Sequence, residues 1–478
     1  MVSGMNLIKK GNRVLQQFGI DPAVRNTLLG RGWFALSGML SLTLLTHFLT
    51  RTEQGYYFTF SSIIALQVFF ELGLSSVILQ FSSHERAHLY LDNEGKLQGD
   101  PIHKSRLASL LRDSLKWYLV CATLLIITLI PGGYWFFLTH TASSASVVWK
   151  LPWCWIVVMT AGWLAITPLL ALIEGCGFVK EVAGLQLSYS LYGSLLFWLA
   201  LIANWKLYTA PITNTVSLLY GLFWLIKKYK PLIIDLLTTP IIQNNGVIHW
   251  KKEVWPFQWK IALSWGSGYF VFSTFTPILF AQRGAISAGR MGSSLTVMSA
   301  VSAISLAWVS TKAAPFGNLV ALKKWKELDR IFFPCLLQST LVLAGLCCAV
   351  YSGVILLHLY HLPLASRILP LAPLAFLLLT TLINQPLFAA AVYLRAHKQE
   401  PFLWISLVNG ICVTVSTFIF AHIYGSLGVM IGYFIINSIC TLYGLKLFTK
   451  LRSKWHTDPN PQNIDSIAIN NHQEAING

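Results

Sequence analysis

Apolar residues in this chain come in long blocks instead of alternating or 3.6-residue faces. Reading the blocks between their polar breaks predicts twelve helical spans, at about 27–49, 55–81, 116–138, 151–173, 182–203, 207–226, 258–281, 284–310, 332–357, 367–394, 402–423 and 427–448. A run of about 20 apolar residues matches one bilayer crossing. Repeated through a chain, such runs mark an all-α, polytopic membrane protein. Composition agrees, with 55% of residues hydrophobic, 11% charged and a mean hydropathy of +0.60. Residues 1–26 are polar and basic without the apolar core of a cleavable signal, and read as a cytoplasmic N-terminal segment. Residues 449–478 read as a cytoplasmic tail, Asn-rich and disordered beyond Asp458.

Charge orients the spans. With an even number of crossings both termini lie on one side. If that side is the cytoplasm, the inner segments hold 28 Lys and Arg and the outer ones 5, namely Arg51, Lys150, Lys206, Arg283 and Arg367. Positive residues accumulate on the cytoplasmic side, so both termini are expected there. The net charge of +17 is then topology, and nucleic acid is not an expected partner. Segment 103–116 mixes leucines with Lys104, Arg106, Arg112 and Lys116, a pattern suited to an amphipathic helix on the inner leaflet. Trp153, Trp155, Trp205, Trp250, Trp255 and Trp259 fall near predicted span ends, where an aromatic belt would sit.

Short echoes suggest an internal repeat. Pro168 is followed twelve residues later by Lys180, and Pro386 at the same distance by Lys398; Ala35-Leu36-Ser37 returns as Ala262-Leu263-Ser264. These offsets predict two like-oriented lobes of six helices, 27–226 and 258–448, joined by a basic cytoplasmic linker, 227–257.

Three charged residues lie inside spans, where ionised groups are expensive and usually functional. Arg290 sits about six residues into span eight, in the stretch Gly284-Ala-Ile-Ser-Ala-Gly-Arg-Met-Gly-Ser-Ser294. Its neighbours are too small to fill a core, so they are expected to leave polar room, with Arg290 lining a central cationic cavity for an anionic, lipid-linked cargo. The bland reading of Arg290 is an arginine at the outer interface beside Arg283. Arg31, one turn into span one, is either an interfacial arginine or a phosphate-binding group at the cavity's inner mouth. Glu71, in span two, reads either as the structural partner of Arg31 or as a titratable coupling group. The eight cysteines include no C-x-x-C pair and read as packing residues. The chain offers no nucleophile elbow, P-loop, His pair with metal spacing or large outer loop, so no enzyme site, cofactor or metal is expected.

The run Thr52-Glu53-Gln54-Gly55-Tyr56-Tyr57-Phe58-Thr59-Phe60-Ser61-Ser62, continued by Phe69-Phe70-Glu71-Leu72-Gly73-Leu74, resembles the span-two region of bacterial polysaccharide exporters, as does Ile173-Glu174-Gly175-Cys176-Gly177. These are the Wzx-like O-antigen and capsule flippases of the multidrug/oligosaccharidyl-lipid/polysaccharide exporter superfamily, and the resemblance covers residues 27 to 448. It implies a MATE-like fold, alternating access and an undecaprenyl-pyrophosphate-linked oligosaccharide as cargo, with Arg31 and Arg290 at the places of cavity arginines in related flippases. It further implies a bacterial inner membrane location, with membrane lipids and polysaccharide assembly proteins such as a polymerase as partners. The rival readings are a drug or cation antiporter of the same superfamily and a membrane glycan polymerase or ligase. An antiporter would carry several buried carboxylates, and a polymerase a long outer loop.

Overall fold

The computed structural model describes residues 22–92, 94–140, 147–242, 246–397 and 401–457. The leading segment to residue 21 and the tail from residue 458 lie outside the described residues. The chain enters on α1 (Pro22–Phe48) and turns into a second span made of three helices in series, α2 (Arg51–Ile64), α3 (Gln67–Glu71) and α4 (Leu74–Arg86). The start of α2 is written in the sequence as Thr50-x-x-Glu53. Glu53 N donates to Thr50 Oγ1 at 3.1 Å and Thr50 N donates to Glu53 Oε2 at 2.9 Å, a reciprocal capping box. Between α3 and α4, Leu72 and Gly73 are both left-handed, with φ of 51° and 65°, and the span bends by 44°.

A short antiparallel hairpin follows, β1 (Leu89–Leu91) and β2 (Leu97–Gly99). The first half is completed by α5 (Pro101–His140), α6 (Lys150–Gly175), α7 (Val179–Ile202) and α8 (Ile212–Trp224). From α8 the chain runs through a π turn at Leu225–Tyr229 into α9 (Lys230–Thr238), so helix extends into the predicted linker. The second half comprises α10 (Trp255–Phe272), α11 (Phe275–Arg283), α12 (Ala285–Ser310), α13 (Ala313–Ala321), α14 (Trp325–Leu359), α15 (Leu371–Ala396) and α16 (Leu403–Thr457). Gly425 (φ 62°, ψ −144°) interrupts α16 and divides it into the predicted eleventh and twelfth spans. Helix also continues through residues 449–457 of the predicted tail, up to the stretch read as disordered. Among the described residues eight helices, or nine with the bent second span, are long and apolar enough to cross a membrane. The protein is an all-α, polytopic membrane protein.

The apolar core follows chain order. One large cluster gathers side chains from Tyr56 to Val254 and reaches across to Phe280 and Ala288, with Ile261 and Ala285 packed against it. Two others gather the second half, from Val271 to Tyr433 and from Val309 to Trp455. The first contains an aromatic knot in which Phe60 and Phe137 pack on Trp153, while Trp149 packs on Phe137 and Tyr56 stacks on it. Trp153 is fully buried and donates to the Leu129 carbonyl at 3.1 Å. It is a core residue and no part of an aromatic belt; a buried indole needs an acceptor for its N–H, and α5 supplies one.

Segment 103–116 also departs from expectation. It forms the first turns of α5, with Leu107, Leu110 and Leu111 buried within the protein. What covers it is the linker. Ser105 Oγ donates to Gly246 O at 2.9 Å, Ile248 N donates to Ser109 Oγ at 3.1 Å and Lys104 pairs with Asp235 at 2.9 Å. Arg106 joins the almost fully buried Glu85 at 2.8 Å to Glu253 at 2.6 Å, and His103 meets the other Glu85 oxygen at 2.7 Å. Lys104 and Arg106, which read as lipid-facing, are instead neutralised by acidic side chains distant in sequence, and Arg112 donates to the Leu237 and Thr239 carbonyls at the end of α9.

Candidate functional site: an inter-half seal and the cavity below it

The end of the bundle opposite the linker carries the turns at 49–51, 203–206 and 283–285 and the 3₁₀ turn Pro363–Arg367. Here α2, from the first half, lies directly against α12, from the second. The contact is made at glycines on both helices, Gly55 on α2 and Gly289 and Gly292 on α12. A Cβ placed on Gly289 would stand 3.1 Å from Gly55 N, one on Gly55 would overlap the Ala285 carbonyl, and one on Gly292 would overlap the Phe58 ring. Small residues let membrane helices approach backbone to backbone. The small residues around Arg290 therefore do not leave polar room as the sequence suggested; α2 occupies that space.

Polar groups close the same contact. Gln54 is almost fully buried, and its Nε2 donates to Gly289 O and Arg367 O, each at 3.2 Å, and to Ser293 Oγ. Its Oε1 accepts from Arg367 Nη1 at 3.0 Å, while Arg367 Nη2 donates to Leu49 O at 2.7 Å. An arginine from the second half thus holds neutral acceptors on the first. Partial burial, then the nearby Arg51, draw the Arg367 pKa below its ordinary value, with Glu53 opposing. Arg290 is part of this assembly: its Nε donates to Ser366 O at 3.0 Å, and Ser294 Oγ accepts from Leu369 N at 3.0 Å.

Beneath the seal lies a cavity of about 420 Å³, within the range of small-molecule sites. Its walls are Ser37, Gly38, Ser41, Leu42 and Leu45 of α1, Tyr57, Phe58 and Ser61 of α2, and a strip of α7 from Tyr189 to Phe197. Thr213 and Ser217 of α8 complete the first-half lining, and Thr296 of α12 reaches in from the second half. Tyr57 and Ser61 follow Arg51 by six and ten residues, placing them about 9–15 Å below the seal at helical rise. Among the described residues, no charged side chain lines this cavity. Arg290 does not line this cavity, because it turns toward the 363–367 turn; Arg31, the other arginine expected there, has its side chain outside the described residues.

The other site candidates fall elsewhere. Glu71 closes α3 at the break in the second span, where its carboxylate accepts from Ser75 Oγ. Tyr118 lies beside Glu71 and Ser75, although its buried hydroxyl meets hydrogen-bond geometry with neither. No ion pair to Glu71 forms among the described residues. Arg31 lies on α1, but its side chain, and with it the Arg31–Glu71 pair, lies outside the described residues. Sequence reading missed Gln54, Arg367 and the hydroxyl lining. Gln54 and Gly55 do stand inside the run Thr52–Ser62, beside a legible capping box, whereas serines spread over four helices carry no linear signal.

The fold is that of the MATE-type transporters of the MOP superfamily. A MATE multidrug transporter, DinF-BH, solved as a ligand complex, superposes with a TM-score of 0.58 at 13% identity, covering 91% of this chain and 95% of that one. The inward-facing conformation of a multidrug resistance MATE family transporter of the MOP superfamily gives 0.53 at 15% identity, with 91% and 96% covered. A MOP superfamily transporter from Pyrococcus furiosus, described as having a binding pocket of reverse polarity that suggests a different function, gives 0.52 at 13% identity, with 92% and 97% covered. No family model matches the chain, and no curated protein matches it in sequence.

Proposed function

We propose that the protein is a flippase that moves an undecaprenyl-pyrophosphate-linked oligosaccharide across a bacterial cytoplasmic membrane, for surface polysaccharide synthesis, by alternating access. The observation that carries this reading is a hydroxyl-lined, uncharged cavity directly beneath a glycine-mediated contact between the two halves of a MATE-like fold. A contact made of backbone approach and a few hydrogen bonds can separate and re-form as a unit, which alternating access requires. The charge bias supports an orientation with the linker and both termini in the cytoplasm and the seal on the outer side. The halves act as two lobes, 27–226 and 258–448, and the protein is not an enzyme.

In this scheme the glycan enters the cavity from the cytoplasmic side while the lipid tail stays in the bilayer. Arg31 meets the pyrophosphate at the inner mouth. Arg290, released from Ser366 when the seal opens, meets it at the outer one, and guanidinium suits this role because it stays charged and forks onto phosphate oxygens. A negative-inside potential favours outward movement of an anion by about 2.3 kcal/mol per charge per 100 mV. Glu71 is the candidate coupling group.

The likeness to multidrug transporters favours a second reading, a drug or cation antiporter. The lining disfavours it, since a cationic drug in this cavity meets no carboxylate. The deciding experiment depletes the protein in cells and locates lipid-linked oligosaccharide between leaflets. Accumulation on the cytoplasmic leaflet, with Arg290→Ala failing to restore export, supports the flippase; normal export together with lost drug resistance replaces it with the antiporter.

A further inference from the structure

We infer that the cavity beneath the seal is a subsite for an uncharged sugar residue, so that the glycan this protein carries is neutral where it occupies the cavity. The inference rests on the flippase reading and names the chemical class of its cargo.

Ten of the sixteen lining residues bear a hydroxyl and none bears a charge. What those hydroxyls offer is constrained by their helices. Ser194 donates to Ser190 O at 2.8 Å, Ser217 to Thr213 O at 2.9 Å and Thr296 to Gly292 O at 2.9 Å. Their protons are committed to the backbone, which leaves oxygen lone pairs as acceptors for a ligand. A lining of acceptors selects a ligand rich in donors. Tyr57 and Tyr189 add a second element. Neither phenol forms a hydrogen bond among the described residues, so each keeps a donor as well as an acceptor, and each contributes a ring to the wall.

A sugar residue matches both elements. Its hydroxyls donate to the serine and threonine oxygens, and its C–H faces pack on aromatic rings. Charged alternatives fit poorly for a single reason. A carboxylate-bearing sugar would leave its charge without a cation among the described lining residues, and a cationic drug would leave its charge without an anion there. A desolvated and unpaired ion is strongly disfavoured in either case.

The test uses the full-length protein in lipid nanodiscs, read by its tryptophan fluorescence. Trp33 and Trp198 donate to the lining residues Ser194 and Ser41 at 3.1 and 2.8 Å, which places two reporters at the cavity wall. Three probes are titrated: undecaprenyl pyrophosphate bearing N-acetylglucosamine, the same lipid bearing glucuronic acid, and the sugar-free lipid pyrophosphate. The neutral-sugar lipid is expected to bind at least about tenfold more tightly than the other two. Tyr57→Phe and Tyr189→Phe each remove one hydroxyl and should weaken that probe by up to about tenfold, leaving the sugar-free lipid unchanged. Ser217→Arg should shift the preference toward the glucuronyl lipid. Equal or tighter binding of the glucuronyl lipid to the native protein overturns the neutral-sugar inference while the flippase reading stands. Unchanged binding in both phenylalanine variants overturns the placement of the sugar in this cavity. Failure of all three lipids to bind, combined with export of a cationic rhodamine dye from cells, overturns both.

Discussion

Gly55→Ala should prop the seal open. A Cβ at position 55 would stand 2.8 Å from Ala285 Cα and closer still to its carbonyl, against a backbone with no flexible end to yield. Carbon atoms settle at about 3.5–4.0 Å, so α2 and α12 must separate by roughly 1 Å. The hydrogen bonds from Gln54 to Gly289 O and Arg367 O, both 3.2 Å long, would then exceed 4 Å and cease to be hydrogen bonds. Losing them and weakening the Arg367 contacts destabilises the sealed state by about 3 kcal/mol, roughly a hundredfold in the ratio of sealed to open protein. Spin labels at Lys206→Cys and Leu362→Cys, on the two halves at this end, would read the change in a background with the eight native cysteines replaced. A longer label-to-label distance in Gly55→Ala, with slowed transport, is expected. An unchanged distance distribution would show that the halves do not meet through Gly55, and the argument for the seal would fail.

Arg367→Ala removes donors to Leu49 O and Gln54 Oε1 without altering helix packing, and should shift the same distance distribution by about 2 kcal/mol, roughly thirtyfold; Arg367→Lys should recover only part, since one ammonium lacks the fork that reaches both acceptors. At the linker end, Arg106→Ala leaves the buried Glu85 carboxylate with His103 as its remaining partner and should destabilise the protein by about 3 kcal/mol; a thermal unfolding midpoint and a linker cleavage rate both equal to those of the native protein would contradict this. The pH dependence of linker docking follows from Glu253. Burial raises its pKa, but the His249 amide and then Arg106 outweigh that and hold it below the ordinary glutamate range. A carboxylate depressed in the folded protein contributes stability above its unfolded pKa of about 4.3 and loses it as pH falls through the lower folded value. The protection factors of residues 246–254, taken relative to the intrinsic exchange rate at each pH, should therefore hold constant from pH 8 to about 5 and fall only in stronger acid; a loss of protection near pH 6.5 would assign the control to another group.

Much of the architecture was legible along the chain. The all-α class and the apolar blocks that become helices follow from rules that act within about twenty residues, because a helix in lipid satisfies its own backbone. The charge bias is equally local, since it records where cations end and apolar blocks begin. Reading became ambiguous where an apolar or small residue could face lipid, protein or a cavity. Trp153 looks like a belt residue and is a core one, and segment 103–116 looks lipid-facing and is covered by the linker. The stretch around Arg290 is the sharpest case. Its glycines and serines are as compatible with an opening as with a close helix contact, and only the presence of Gly55 on the facing helix decides between them. The cavity was beyond linear reading for the same reason. Ser37, Tyr57, Tyr189, Ser217 and Thr296 lie on five helices as separate polar interruptions of apolar runs, and only folding brings their oxygens around one space. Hydrophobic pattern determines which segments leave water; which of their faces meet one another is set by steric fit between helices, and that fit exists only in three dimensions.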